Sequence, residues 1–291
     1  MSTKRKAHPE LPAEIGGVIE KIRRAQPGFD VVRGWVDSPS PNFPMNEIGK
    51  LCGGGADLTL GTMKFGGRWG SHVQLFQPSR AALALFNDAA GERYAVHLSY
   101  VEFAWDFITS TQADADEVAT FLVEHLYVPY MRQEVVLDKG TTWYWNRLTD
   151  ANGNKVDRNL ALYASMPSKQ AGTFVGRHCA HLEFRLNGGP ELAKHGIVGP
   201  QDLLHLNHLT FWDERVRLLR PKSLTDLGRW LGGDASGTML RKRAHAFRSD
   251  FSTSGVFVLQ DALLNDRKLL GALIPIDLRR VFVGRRGMAE A

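Results

Sequence analysis

Hydrophobic and polar residues alternate along residues 100–107, YVEFAWDF, with the small Ala104 as the exception among the polar positions. Side chains alternate across a β-strand, so this spacing predicts a strand with one hydrophobic face and one face that carries Glu102 and Asp106. Two carboxylates on the same face of a strand need either solvent or partners of their own. The stretch therefore predicts a polar site on one side of a sheet, or two separately solvated carboxylates.

Residues 179–186 repeat the alternation, with His181, Glu183 and Arg185 on one face and hydrophobic side chains on the other. The two carboxylates of the first strand lie four residues apart, roughly 13 Å along its axis, whereas a neighbouring strand lies only about 4.8 Å away. Glu183 opposite one of those carboxylates therefore forms a closer pair than the two form with each other.

Two further strand-like runs flank Asn152 and Gly153, a dipeptide that favours a tight β-hairpin turn. A two-residue turn at this point places Tyr144 opposite Ala161 and diagonal to Tyr163 on one face of the hairpin. A longer loop that moves the register by one residue would change these neighbours.

The order of the elements predicts an α+β fold with a largely antiparallel sheet flanked by helices and a helical, basic C-terminal part. The stretch PSRAALALFNDAAG, residues 78–91, has the start and stop signals of a helix, and from residue 199 onward the pattern becomes helical. We expect a disordered basic tail over residues 1–12, an α+β catalytic domain over 13–213, and a basic helical region over 214–291.

Composition narrows the class of protein. The 291 residues are 43% hydrophobic, enough for a substantial core. Cys52 and Cys179 are too few and too far apart for a disulfide framework or a cysteine-based zinc site. No hydrophobic run approaches the length of a bilayer span, so we expect a cytoplasmic protein with no membrane partner.

Positive charge is concentrated at one end of the chain. Residues 214–291 contain 15 Lys/Arg and 8 Asp/Glu, whereas the first 213 residues contain 21 and 23. A basic region of this kind favours binding to nucleic acid, although a solvated helical surface has the same composition. The DNA-binding candidates are Arg241, Lys242, Arg243 and Arg248.

The polar strand faces also predict a metal site. Mg²⁺ and Mn²⁺ bind carboxylates together with water and phosphate oxygens, and an imidazole shifts the preference towards Mn²⁺. The candidate ligands are Glu102, Asp106, Glu183 and His181. Solvated carboxylates without a metal remain the alternative.

The order of several segments resembles the replication initiation factor family, which starts rolling-circle replication of small plasmids and filamentous phages. The family has a carboxylate-x-x-x-Asp strand, a Thr-x-Tyr strand, a strand that ends in Tyr and leads to Lys, and an Arg-x-Glu strand. The matching segments, over roughly residues 74–190, are QLFQPSRAALALF, HLSYVEFAWDFIT, TTWYWN, NLALYASMPSKQ and HLEFRLNG.

The resemblance implies a metal-dependent endonuclease that cuts one DNA strand at an origin through a tyrosine, which becomes linked to the 5′-phosphate. It implies Tyr144 as the nucleophile, Tyr163 as the reserve candidate, and Lys169 as a cation that helps to ionise the phenol. The expected partners are origin DNA in single-stranded or hairpin form, a host helicase and polymerase, and a second copy of the chain. A non-catalytic DNA-binding relative and a metal-dependent phosphodiesterase that uses water remain alternatives.

Overall fold

The computed structural model describes residues 13–64, 66–91, 93–146, 149, 156–170, 172–222 and 258–283. The strands are β1 (Arg24–Val36), β2 (Ala56–Lys64), β3 (Trp69–Phe76), β4 (Val96–Ile108), β5 (Leu126–Tyr127), β6 (Val136–Asp138), β7 (Thr142–Trp145), β8 (Arg158–Tyr163), β9 (Cys179–Asn187), β10 (Arg217–Pro221) and β11 (Leu273–Ile276). The helices are α1 (Ala13–Lys21), α2 (Met45–Lys50), α3 (Arg80–Ala90), α4 (Gln112–His125), α5 (Gly189–Ala193), α6 (Pro200–Leu204), α7 (His208–Arg215), α8 (Leu259–Asn265) and α9 (Leu278–Phe282), with a 3₁₀ helix at Arg267–Ala272.

The predicted α+β class is confirmed. Eight strands form one sheet in the order β2-β3-β1-β4-β9-β8-β7-β6, and every neighbouring pair is antiparallel. A second, three-stranded antiparallel sheet has the order β11-β10-β5. Strands β4 and β9, which carry the two alternating sequences, are neighbours near the middle of the large sheet.

The hydrophobic face of the large sheet packs against helices. On β4, the ring of Phe103 stacks on Phe211 of α7 at a centroid distance of 3.9 Å. Trp105 contacts Trp212 of α7 edge-on, and Phe282 of α9 at 4.7 Å. All five aromatic side chains are buried, and removal of this much apolar area from water is the main stabilising contribution to such a core. The polar residues of β4 and β9 therefore lie on the opposite face of the sheet.

Helix α3 begins and ends where its sequence predicts. The Ser79 hydroxyl oxygen accepts a hydrogen bond from the backbone N–H of Ala82 at 3.1 Å, which satisfies one of the free N–H groups at the helix start. Gly91 follows the helix with a φ of 49°, a conformation that glycine adopts at low cost.

The hairpin register is also as predicted. Thr142 pairs with Tyr163 and Tyr144 with Ala161. The turn around residues 152 and 153, from which the register was inferred, lies outside the residues that the structure describes.

The C-terminal part includes two strands that the sequence pattern did not predict. β10 and β11 pair with each other. β10 also pairs with β5, and β5 lies within the range expected to form the catalytic domain. The expected boundary at residues 213 and 214 falls inside α7, and α9 packs into the main core. The domain boundaries stay a prediction. Among the described residues, no helix is long and apolar enough to cross a membrane.

Candidate functional site

The sheet register brings the polar side chains of β4 and β9 together. Asp106 pairs with His181, and Glu183 lies between Ala104 of β4 and Ala161 of β8. Paired residues on neighbouring strands share a face. Because alanine is small, Ala104 and Ala161 leave space around the Glu183 carboxylate. The longer side chains on either side of Glu183 along β9 can fill this space.

His181 is the centre of the cluster. Its Nδ1 contacts Asp106 Oδ1, and its Nε2 lies 2.9 Å from Glu183 Oε1. All three residues are buried. Burial alone would lower the pKa of His181, but the Asp106 carboxylate and the hydrogen bonds outweigh burial, so its pKa lies well above the usual value. Without a bound cation, this raised pKa places a positive charge on His181 between two carboxylates, and a cation at Nε2 would displace that proton.

The segment that connects β8 to β9 closes one end of the cluster. The hydroxyl of Ser168, a buried residue, donates a hydrogen bond to Asp106 Oδ2. Two residues further along, Gln170 packs so closely over Gly28 of β1 that a Cβ at Gly28 would collide with its side chain. Because this segment lies over Asp106, the carboxylate is fully removed from solvent.

Glu183 accepts hydrogen bonds from two neighbours on its own face. The Tyr163 hydroxyl donates to Oε1 at 2.7 Å, and Arg185 Nε donates to Oε2 at 2.9 Å. Burial opposes the carboxylate charge, but His181 and Arg185 outweigh burial and bring the pKa of Glu183 to about 2. Burial and the Glu183 charge raise the pKa of Tyr163, so its phenol is protonated at neutral pH.

Glu102 has a different set of partners. It accepts a hydrogen bond from the Tyr100 hydroxyl, and its Oε1 lies 3.2 Å from Arg185 Nε. Burial and the nearby charge of Glu183 raise the pKa of Glu102 to about 8, although Arg185 opposes the increase. At neutral pH Glu102 is therefore largely protonated while Glu183 is ionised, and Arg185 joins the two side chains.

Asp30 also belongs to this site, and no pattern along the sequence indicates it. Phe29 pairs with Phe103 and Val31 with Glu102, so Asp30 is the extra residue of a β-bulge in β1. A bulge re-aims the side chain of the inserted residue. A carboxylate oxygen of Asp30 comes within 4.8 Å of ligand atoms of His181 and Glu183.

Two groups of side chains in the described part of the chain have the spacing of a metal site: Asp106, Cys179 and His181, and Asp30, His181 and Glu183. The second group fits a divalent cation better. His181 Nε2 is buried and makes no hydrogen bond of good geometry, while Nδ1 is held by Asp106. A carboxylate that fixes one imidazole nitrogen and leaves the other for a cation is the usual arrangement around metal-binding histidines.

The other predicted site residues have different locations. Tyr144 is half-buried, and the Arg185 guanidinium lies 5.8 Å from its ring centroid. Lys169 is exposed, between the buried Ser168 and Gln170. Glu102 belongs to neither metal-spaced group. The DNA-binding candidates Arg241, Lys242, Arg243 and Arg248 lie outside the residues that the structure describes.

Aromatic rings and cations continue across the same sheet face from the cluster. Arg33 lies 4.7 Å over the ring of Tyr100, and Trp35 lies 4.6 Å from His72. Trp35 also pairs with His97 across the sheet. We call this half-exposed row the aromatic strip and define it as Arg33, Trp35, Trp69, His72, His97 and Tyr100. Stacking platforms beside cations are typical of surfaces that bind single-stranded nucleic acid.

Comparison with known proteins finds similarity at the level of structure. No family model matches the sequence, and no curated protein matches it. A solved rolling circle replication initiator protein from Geobacillus stearothermophilus superposes with a TM-score of 0.39 and 12% sequence identity, over 68% of this chain and 88% of that chain.

Proposed function

We propose that the protein is a rolling-circle replication initiator, which nicks one DNA strand through a tyrosine with the help of Mg²⁺ or Mn²⁺. The observation that carries the proposal is the contact between the Tyr163 hydroxyl and Glu183, 2.7 Å apart, within a cluster that can hold a divalent cation. A nucleophile, an acceptor for its proton and a set of cation ligands thus share one sheet face.

Tyr163 is the better placed of the two candidate nucleophiles. It contacts Glu183 through its hydroxyl and His181 through its ring, with centroids 4.8 Å apart. Tyr144 lies one strand further from β9, and its ring faces Arg185. We therefore assign the attack to Tyr163 and keep Tyr144, the first choice from the sequence, as the alternative.

The proposed reaction balances as follows. The Tyr163 oxygen attacks the scissile phosphorus, and the bond from phosphorus to the 3′ oxygen breaks. The phenolic proton passes to Glu183, and the departing oxygen takes a proton from solvent to become a free 3′-hydroxyl. A bound divalent cation would supply positive charge that favours the phenolate and offsets charge on the phosphate. The phosphotyrosine bond conserves the energy for rejoining.

The aromatic strip and the basic region over residues 214–291 provide the proposed DNA-binding surfaces. The strip is continuous with the cluster, because Tyr100 is hydrogen-bonded to Glu102. Bases that stack on Trp35 and Trp69 would lead the strand towards Tyr163. The basic region, with Arg241, Lys242, Arg243 and Arg248, would contribute affinity that does not depend on base sequence and weakens with salt.

A phosphodiesterase that uses water is the second candidate. The raised pKa of the half-buried Tyr163 favours this alternative, because a protonated phenol is a poor nucleophile. In that case the carboxylates and His181 would hold the cation, and Tyr163 would only position Glu183.

A covalent-adduct assay separates the candidates. The full-length protein would be incubated with Mn²⁺ and labelled single-stranded oligonucleotides that tile the DNA around its own gene. An initiator gives a protein–DNA adduct that withstands denaturation, a phosphodiesterase gives cleavage without an adduct, and a non-catalytic binder gives neither. Tyr163→Phe should abolish the adduct and Tyr144→Phe should retain it, whereas the reverse pattern would transfer the role to Tyr144.

A further inference from the structure

A second site lies on the other side of the large sheet. A cavity of about 460 Å³ opens beside Phe184, the residue that follows Glu183 on β9 and points to the opposite face. Met131 and Tyr130 form further apolar walls. Its volume falls within the roughly 300–1,000 Å³ of small-molecule sites. The cavity is therefore separate from the candidate nicking site, with β9 between them.

The polar lining of this cavity has three buried atoms without hydrogen-bond partners among the described residues. They are Glu191 Oε1, His195 Nε2 and Arg215 Nε; the first two lie 3.5 Å apart, close enough for ionic attraction but without a hydrogen bond. Glu191 is 3% exposed, and a buried carboxylate oxygen without a hydrogen bond is costly to maintain even when cations lie nearby. Three such atoms around one cavity indicate that a polar ligand completes their hydrogen bonds.

The hydrogen-bonding role of each atom follows from its neighbours. Arg215 Nη2 donates to His195 Nδ1 at 2.7 Å, so the imidazole carries its hydrogen on Nε2. Burial and the Arg215 charge lower the pKa of His195, which keeps it neutral. The cavity therefore offers two N–H donors, from His195 and Arg215, next to one carboxylate acceptor on Glu191.

Two further cations lie near the carboxylate. Lys194 Nζ donates to Glu191 Oε2 at 2.7 Å, and Arg158 Nε lies 3.4 Å from Oε1. Their side chains are 62% and 36% exposed, so both reach solvent at the rim. An anionic group on a ligand would find these cations at the opening, outside the apolar walls.

We propose that this cavity binds a nucleotide through a base whose edge carries a ring N–H beside a carbonyl, which means guanine or thymine. The ring N–H would donate to Glu191, and the carbonyl would accept from His195 or Arg215. Phe184 and Met131 would contact the faces of the base, and the phosphate would lie near Lys194 and Arg158. Adenine and cytosine lack the ring N–H and would leave the carboxylate less well satisfied.

Calorimetric titration of the full-length protein tests the proposal, with dGMP, dTMP, dAMP and dCMP as probes and deoxyribose 5-phosphate as the probe without a base. We expect dGMP or dTMP to bind at least about tenfold more tightly than the other probes, the size of one hydrogen bond to a charged group. Glu191→Gln should weaken that nucleotide about tenfold and Lys194→Met should weaken all four. Lys50→Met, on the exposed end of α2, is the matched control.

Two sources can provide the nucleotide, a free nucleotide or an unpaired nucleotide of a DNA strand. Weaker binding of an oligothymidylate by the Glu191→Gln protein identifies the strand as the source, whereas an unchanged oligonucleotide affinity identifies the free nucleotide. The proposal is overturned if no nucleotide binds at 5 mM, a probe concentration about five times the ~1 mM scale of weak binding. It is also overturned if deoxyribose 5-phosphate binds as tightly as the nucleotides.

Folding of the variants would be checked by thermal unfolding. If Glu191→Gln does not fold, equal affinity of the wild-type protein for the four nucleotides overturns the proposal by itself, as does an unchanged affinity in Lys194→Met. Tyr163→Phe should leave nucleotide binding unchanged, so failure of the nicking proposal and failure of this one are distinguishable.

Discussion

Replacement of Glu183 by glutamine removes the negative charge that holds the buried cluster together. The Glu183 carboxylate accepts hydrogen bonds from Tyr163 and Arg185 and lies 2.9 Å from His181 Nε2. Glutamine retains one acceptor but presents an NH₂ group to these donors. His181 and Arg185 would then keep their positive charges with one fewer buried carboxylate between them.

The expected destabilisation is about 3 kcal/mol. Removal of one partner from a buried ion pair costs about 3–5 kcal/mol. Glu102 moderates this cost, because its pKa of about 8 is raised partly by the charge of Glu183. Once that charge is gone, Glu102 ionises more readily and replaces part of it. For a chain of 291 residues, about 3 kcal/mol corresponds to a fall in Tm of about 5 °C, at about 2.1 cal/mol/K per residue.

Differential scanning calorimetry at pH 7 would measure the change in Tm. EDTA in the buffer ensures that no bound cation contributes. The matched control is Glu117→Gln, because Glu117 forms an exposed ion pair with Lys21 that solvent screens, so its loss should hardly change Tm. An unchanged Tm for Glu183→Gln, or a loss no larger than that of the control, would refute the reasoning.

The same comparison has an expected pH dependence. A carboxyl group whose folded pKa is raised, such as Glu102, stabilises the fold below its unfolded value of 4.5, and this contribution is lost as pH rises through about 8. The loss is larger in the wild-type protein than in Glu183→Gln, where Glu102 no longer faces the second charge. The difference in stability between the two proteins should therefore narrow from pH 5 to pH 8, and a difference that widens would contradict the assignment.

Three further predictions concern other parts of the chain. Burial lowers the pKa of His208 to about 4, so the free energy of unfolding of the wild-type protein, measured with urea, should fall by up to about 3 kcal/mol as pH falls from 6.5 to 4. His208→Gln should reduce this dependence on pH. An equal dependence in the two proteins would contradict the prediction. Trp35→Ala should weaken binding of a fluorescent oligothymidylate at least fivefold, because stacking contributes about 1–3 kcal/mol per base. Leu60→Ala, an exposed control on β2, should leave the affinity unchanged. Equal affinities of the two variants would show that the aromatic strip does not bind DNA. Asp30→Asn should reduce the rise in Tm produced by Mn²⁺ as strongly as His181→Gln does, and a full rise would exclude Asp30 as a ligand.

Most of the cluster could be predicted from the alternation of residues along two strands, β4 and β9. Side chains two residues apart on a strand share a face. This spacing predicts that Glu102 and Asp106 share one face of their strand, and that His181, Glu183 and Arg185 share one face of theirs. Their contacts could not be predicted, because these depend on the register between β4 and β9. One residue of slip would have separated His181 from Asp106.

Asp30 and its strand were not predictable in the same way. β1 contains Pro27, Gly28 and Gly34, which weaken a strand pattern. Yet the strand is central in the large sheet, and Gly28 is required there because Gln170 packs directly over it. The bulge that turns Asp30 towards His181 arises only from the pairing of β1 with β4.

The C-terminal strands and the second cavity depend on contacts between distant parts of the chain. β10 and β11 are short and lie in a stretch with a helical pattern, so their pairing with each other and with β5 outweighs local propensity. The cavity assembles Arg158 from β8 with side chains from α5 and α7. No spacing along the sequence indicates this assembly.

Mass spectrometry of the protein–DNA adduct identifies the residue that attacks the DNA. After reaction with Mn²⁺ and the tiled oligonucleotides, nuclease treatment would leave a short nucleotide on the attacking residue. Tryptic cleavage separates the two candidates, because Tyr163 lies in the fragment of residues 159–169 and Tyr144 in that of residues 140–147. We expect the added mass on Tyr163. Cleaved DNA without any adduct, or the mass on the other fragment, would contradict it.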